Sequence, residues 1–238
     1  MTDLMTQPVV EVSPVALDAL RKSELFATLP EPLLREIASR SSVRNVRRGE
    51  RLWEHGNPSN HVGIVASGRL KCWSPGRDTR QWVSAVVRPG STCGLAAVVD
   101  GGPYTCHAEP MERSRVVLVP QASLRAAMER EPAFARRVAV SLAGEFRRVL
   151  STCEDVTLRT PLQRLAHFLQ TAAAGAAMVE LRETQTQIAA QLGTVREVVG
   201  RGFRHLEAQG VVARTGRTVR ILRPRDLAGL ATGTRLSA

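Results

Sequence analysis

Lysine is almost missing from this chain. Of 33 basic residues only Lys22 and Lys71 are lysine, so a formal net charge of +11 is carried almost wholly by arginine. Long apolar runs are missing too. Nothing approaches the roughly 18 consecutive apolar residues of a membrane span, so a membrane is not an expected partner. The opening MTDLMTQPVV has no basic stretch before an apolar core, so no signal peptide is read and a cytoplasmic location is expected. Cys72, Cys93, Cys106 and Cys153 include no CxxC pair, which gives a zinc site no support and leaves four reduced thiols. No spacing offers a nucleophile–base pair, a Walker loop or a set of metal ligands, so the chain is not read as an enzyme.

What is present fits two cored domains in 238 residues. From Pro161 onward eleven Arg stand against four Glu and one Asp, a balance of eleven minus five, or +6. Basic excess of this kind suits phosphate contact and a salt-sensitive affinity. Within it lies TQTQIAAQLGTVREVVGRGFRHLEAQGVV, residues 184–212. A break at Gly193-Thr194 splits the stretch into a short helix and a longer one. On the longer helix Val195, Val198, Val199, Gly202, Phe203 and Leu206 fall on one side at 100° per residue. Arg196, Glu197, Gly200, Arg201, Arg204 and Ala208 fall on the other. Two helices joined by a glycine-bearing turn form a helix-turn-helix, and the polar face suits a major groove. Arg can bond guanine bidentately and Glu can accept from the cytosine amino group. Two β-branched runs then meet at Thr215-Gly216-Arg217, a hairpin that completes a winged helix.

The run Arg196-Glu197-Val198-Val199-Gly200-Arg201 is similar to the R-E-T-V-G-R that opens the recognition helix in the cyclic-AMP-receptor and fumarate-nitrate-regulator (Crp/Fnr) family of bacterial transcription factors. GERLWEHGNPSNHVGIVASGRLKCW resembles the same family's glycine-punctuated strand series, with Trp53 in its aromatic place. The resemblance runs from about Leu20 to about Ala231. It implies an α+β chain: an N-terminal cyclic-nucleotide-binding-type β-barrel (jelly roll), a long dimerisation helix and a C-terminal winged helix-turn-helix.

Taken in order, residues 1–19 are expected to form a flexible N-terminus, with a helical pattern setting in from Ser13 and running to Arg40, and 20–130 to form the sensor barrel. Pro30 and Pro32 punctuate two short helices at its start, and glycines every 8–12 residues from Val43 to Pro120 mark short strands. Residues 131–159 are expected as the long helix, where Leu142, Val149 and Val156 recur every seven residues as a dimer seam of about three heptads, with Val138, Phe146 and Cys153 as partners. Pro161 must break that helix, which makes Thr160-Pro161 the expected hinge. Residues 160–238 then hold a first helix, an exit loop at Ala173–Ala176, the helix-turn-helix, the wing and a final helix at DLAGLA.

In cyclic-AMP-binding members a G-E-L turn followed by R-S cradles the nucleotide, with Glu on the ribose and Arg and Ser on the phosphate. The resemblance puts the effector pocket here at Gly94, Leu95, Thr105, Cys106, Val149 and Leu150. Leu95 stands at the Glu place, Thr105 at the Arg place and Cys106 at the Ser place, while the adenine-contacting Thr-Ser pair falls on Val149-Leu150. The key charge is gone, so cyclic AMP is not the expected ligand. No cysteine precedes Cys72, so an N-terminal iron–sulfur cluster is not expected, and no cofactor is assigned. Haem would need His107, Cys106 or Cys93, but Leu95 stands where a ligand belongs. Cys93 and Cys106 flank the stretch and read either as small buried hydrophobes or as redox thiols.

The expected function is a homodimeric, sequence-specific transcription regulator on a pseudo-palindromic operator, with RNA polymerase and a small-molecule effector as further partners. Arg196, Glu197 and Arg201 would read bases. Gln187, Thr194, Arg204 and Arg217 would hold phosphates. Thr194-x-x-Glu197 also fits a capping box, in which Glu197 would cap its helix instead. The alternative function is a ligand-independent architectural DNA binder with a vestigial barrel.

Overall fold

A computed structural model describes residues 12–76 and 81–233. They divide into two units, one of residues up to 74 with 85–145, the other of 75–84 with residues from 146 onward.

The first unit opens with α1 (Pro14–Lys22), which follows the helical pattern from Ser13 and ends the expected flexible arm before residue 19. Ser13 accepts from Ala16 N, proline sits in the first turn, and Ala16, Leu17, Ala19 and Leu20 are buried. The helical signal here is short, and it is packing of one apolar face that holds it. Residues 1–11 of the expected flexible arm lie outside the described residues. A second helix, α2 (Glu31–Arg40), begins after Pro30 as expected.

Next come β1 (Ser42–Val46), β2 (His61–Ser67), β3 (Leu70–Pro75), β4 (Gln81–Val87), β5 (Thr92–Cys93), the short helix α3 (Leu95–Asp100), β6 (His107–Pro110) and β7 (Ser114–Pro120). They form a four-stranded sheet in the order β1-β7-β2-β5 and a three-stranded one in the order β4-β3-β6. The expected glycine turns are real. Gly68 has φ +78°, and a Cβ there would lie 2.3 Å from Ser114 Oγ, so the close approach of two strands forbids a side chain. Helices α4 (Gln121–Arg130) and α5 (Pro132–Leu158) come after the last strand. Phe134 and Val138 of α5 are buried in the first unit's core, where Phe134 meets Phe26 at 5.3 Å between ring centroids.

The second unit holds α6 (Pro161–Ala173), β8 (Met178–Glu180), α7 (Gln185–Gln191), α8 (Arg196–Ala208), β9 (Val212–Thr215), β10 (Thr218–Ile221) and α9 (Pro224–Thr232). Its sheet has the order β8-β10-β9, so the wing has a third strand beyond the expected hairpin. The long helix does end before Thr160-Pro161, but that break lies inside the second unit. The last turn of α5 is tied to α6 by a hydrogen bond. Arg164, 8% exposed, donates from Nη1 to the Val156 carbonyl at 3.1 Å. A Cβ on Gly193, in the turn between α7 and α8, would lie 3.6 Å from Val156 Cγ2.

Candidate nucleic-acid interface

The helix-turn-helix is built by local chemistry at each helix end. Thr184 caps α7 through a reciprocal box: its hydroxyl accepts from Gln187 N, and Gln187 Oε1 accepts from Thr184 N at 2.8 Å. Thr160 and Gln163 repeat the device at the start of α6. Gln187 therefore spends its carbonyl oxygen on the cap and keeps its amide donors. Between the helices Gly193 takes φ +62° and Thr194 N donates to Ala189 O at 2.9 Å, closing the turn. The N-cap of α8 is Val195, which makes no side-chain cap bond. The Thr194–Glu197 capping box therefore does not form, because the turn runs one residue further than that spacing needs. Glu197 is left exposed in the first turn.

One face of α8 is buried through Val199, Gly202, Phe203 and Leu206, as the periodicity requires. Two assignments change. Val195 is 39% exposed because it lies before the helix proper. Gly200 is buried, since a Cβ there would stand 3.4 Å from Gln185 Oε1 of α7. The outer face presents Arg196, Glu197, Arg201, Arg204 and also His205, a residue outside the expected set. No ion pair engages Arg196, Glu197, Arg201 or Arg204 among the described residues. At 1.5 Å per residue Arg196 and Arg201 lie about 7.5 Å apart along the axis. Two wing arginines differ in kind. Arg214 stacks over Phe203 at 4.6 Å and approaches Glu207 at 3.5 Å, so it belongs to the unit's structure. Arg217, in the two-residue turn between β9 and β10, is exposed.

In the first unit, Gly94 is the N-cap of α3 with φ +76°. A Cβ there would meet Tyr104 at 2.9 Å and Trp53 at 3.1 Å, and those two rings stack at 4.2 Å between centroids. Leu95 is 1% exposed and points into the core. Thr105 is exposed and Cys106 half-buried. His107 Nδ1 accepts from His55 N at 3.2 Å, which requires the neutral ring at that nitrogen. Burial, then the nearby Arg51 charge, holds its pKa below the usual histidine value. Val149 and Leu150 belong to the second unit and are 44% and 46% exposed. Among the described residues no group of three or more His, Cys, Asp or Glu is placed to hold a metal ion.

Two family models match the chain: a cyclic nucleotide-binding domain over residues 43–131 and a Crp-like helix-turn-helix domain over residues 163–230. The chain belongs to the Crp/Fnr family of transcription regulators. It is 27% identical to the transcriptional activator protein anr of Pseudomonas aeruginosa, over 84% of each chain. It is 23% identical to the CRP-like cAMP-activated global transcriptional regulator of Mycobacterium tuberculosis, over 86% of this chain and 94% of that one. Among solved structures, FixK2 of Bradyrhizobium japonicum superposes with a TM-score of 0.70 at 25% identity, covering 83% of this chain and 99% of FixK2.

As a Crp/Fnr regulator the chain is a transcription factor with a helix-turn-helix DNA-binding domain, not an enzyme. No helix among its described residues is long and apolar enough to cross a membrane. With a leucine at 95, the first turn of α3 faces the core. With Trp53 stacked on Tyr104, aromatic carbon packs against the Gly94 backbone.

Proposed function

We propose that this regulator is a cytoplasmic homodimer that reads a pseudo-palindromic operator and does not respond to cyclic AMP. The observation that carries the reading is the outer face of α8, where Arg196, Glu197 and Arg201 stand exposed directly after the helix-turn-helix turn. These three read base edges; Thr194, Arg204, Arg217 and the amide donors of Gln187 hold phosphates. The apolar stripe of α5 supports the dimer. Phe146, Val149 and Val156 are 63%, 44% and 46% exposed, and with the exposed Cys153 they alternate at three and four residues. Two reading helices one DNA turn apart then match a two-fold operator, from which RNA polymerase is engaged.

Base-resolved selection on random operators tests the reading face. Arg201→Ala is expected to cost about 1–3 kcal/mol and relax preference at one base pair per half-site. Arg204→Ala is expected to weaken all sequences alike and reduce the salt slope by about one. Unchanged base preference in Arg201→Ala would remove that residue from the reading role.

A further inference from the structure

Three of the four cysteines converge. Cys72 and Cys93 lie in the first unit's hydrophobic core and Cys106 packs against it. Cys72 sits on β3 opposite Ala108 of β6, and the ladder ends one step on at Trp73 opposite His107. Cys106 immediately precedes β6, so it stands diagonally across the strand pair from Cys72, on the same face of the sheet. The two thiols face each other closely enough to share a hydrogen bond. Cys93 has a different partner, donating to the Gly63 carbonyl at 3.6 Å.

We propose that Cys106 is an oxidation site for hydroperoxides and that Cys72 is its resolving thiol. Accessibility and electrostatics favour Cys106 as the thiol attacked first. It is half-buried, whereas Cys72 and Cys93 are 6% and 4% exposed. The Cys72 hydrogen bond stabilises a Cys106 thiolate and lowers its pKa, against burial and the Glu145 carboxylate, which act the other way. The same bond, with burial, raises Cys72, and burial raises Cys93. A stabilised, reachable thiolate is the reactive form.

The chemistry balances in two steps. The Cys106 thiolate attacks one peroxide oxygen: an S–O bond forms, the O–O bond breaks, and sulfur gives up two electrons. The departing hydroxide takes up the proton first lost by the thiol and leaves as water. The Cys72 sulfur then attacks the Cys106 sulfenic acid: an S–S bond forms, the S–O bond breaks, and the hydroxyl leaves as a second water with the Cys72 proton. A diagonal pair must draw closer to close a disulfide, and because Cys106 lies one residue beyond the last rung of the ladder that approach need not break a β3–β6 pair.

Cys153 is exposed, so the full-length Cys153→Ser protein is the one to treat with equimolar hydrogen peroxide. Intact-mass spectrometry is expected to show loss of two hydrogens, reversed by reductant, with a Cys72–Cys106 linked peptide on digestion. In the reduced protein, iodoacetamide is expected to label Cys106 about tenfold faster or more than Cys72 or Cys93. With Cys72→Ala added, dimedone is expected to trap the sulfenic acid at Cys106. An unchanged mass, a disulfide through Cys93, or fastest alkylation elsewhere overturns the proposal. The mass and alkylation readouts need no variant at Cys72, so they decide it even if Cys72→Ala fails to fold.

Discussion

At residue 95 a leucine side chain sits in the first turn of α3, 1% exposed, one position after a glycine in the left-handed region. A cyclic monophosphate is an anion with a ribose hydroxyl to satisfy, and neither need is met by a buried aliphatic group. Thr105 is exposed and offers a neutral hydrogen bond, worth about 0.5–1.5 kcal/mol against about 1.5–3 for a charged one. With those contributions missing together, cyclic AMP is expected to bind no more tightly than the millimolar range, near −4 kcal/mol. Calorimetry on the full-length protein is expected to show no micromolar isotherm, and the operator affinity is expected to be the same with and without the nucleotide. A micromolar isotherm abolished at Thr105 or Cys106 would mean that the barrel had rebuilt the site from other groups.

Among the elements, α6 and α8 cross so closely that Gly202 has no room for a methyl. A Cβ there would lie 2.7 Å from Cδ2 of Leu165, itself 1% exposed. Gly202→Ala gains about 1 kcal/mol of helix propensity but overpacks this crossing at about 1–3 kcal/mol. The variant is expected to unfold at lower temperature, and adding Leu165→Ala is expected to show favourable coupling in a double-mutant cycle read by calorimetry. Close crossings of this sort are only half legible in a sequence. The periodicity of α8 assigns Val199, Phe203 and Leu206 to the core, because burial of one helical face repeats every 3.6 residues. It misassigns Val195 and Gly200, since the first depends on where the turn stops and the second on a neighbouring helix. The strand β8 leaves little trace for a similar reason: Val179 and its two neighbours are strand because β10 pairs with them. The reading face is visible as arginine and glutamate at helical spacing, whereas the capping box at Thr184 becomes clear only once the helix start is fixed.

For the whole molecule, the order of sensor, long helix and reader is legible from the change of period along the chain, but the division of α5 is not. Val138 is buried in the first unit and Leu142, half-buried, packs against its core, whereas Val149 and Val156, expected with it as one seam, are exposed. In the proposed dimer the stripe offered to a second copy runs through Phe146, Val149 and Val156. Val149 lies within that stripe, and a carboxylate there would be buried without a partner in the proposed dimer. Val149→Glu is therefore expected to sediment as a monomer and to lose tight binding to the palindrome, while a single half-site is still bound weakly. Sedimentation of an intact dimer would place the interface elsewhere.

The proposed reading face carries its fixed positive charge as guanidinium groups, and that restricts how the cell can adjust it. An amine can be neutralised by acetyl transfer or, when buried, by a modest change of pH; a guanidinium at the surface yields to neither. With its two lysines at positions 22 and 71, the chain offers no amine side chain anywhere in the winged helix. The electrostatic attraction to DNA in the proposed complex thus has no acetylation switch, and it stays open to competition from salt or another polyanion. Tuning of occupancy falls to geometry, to the amount of protein or to negative charge added nearby.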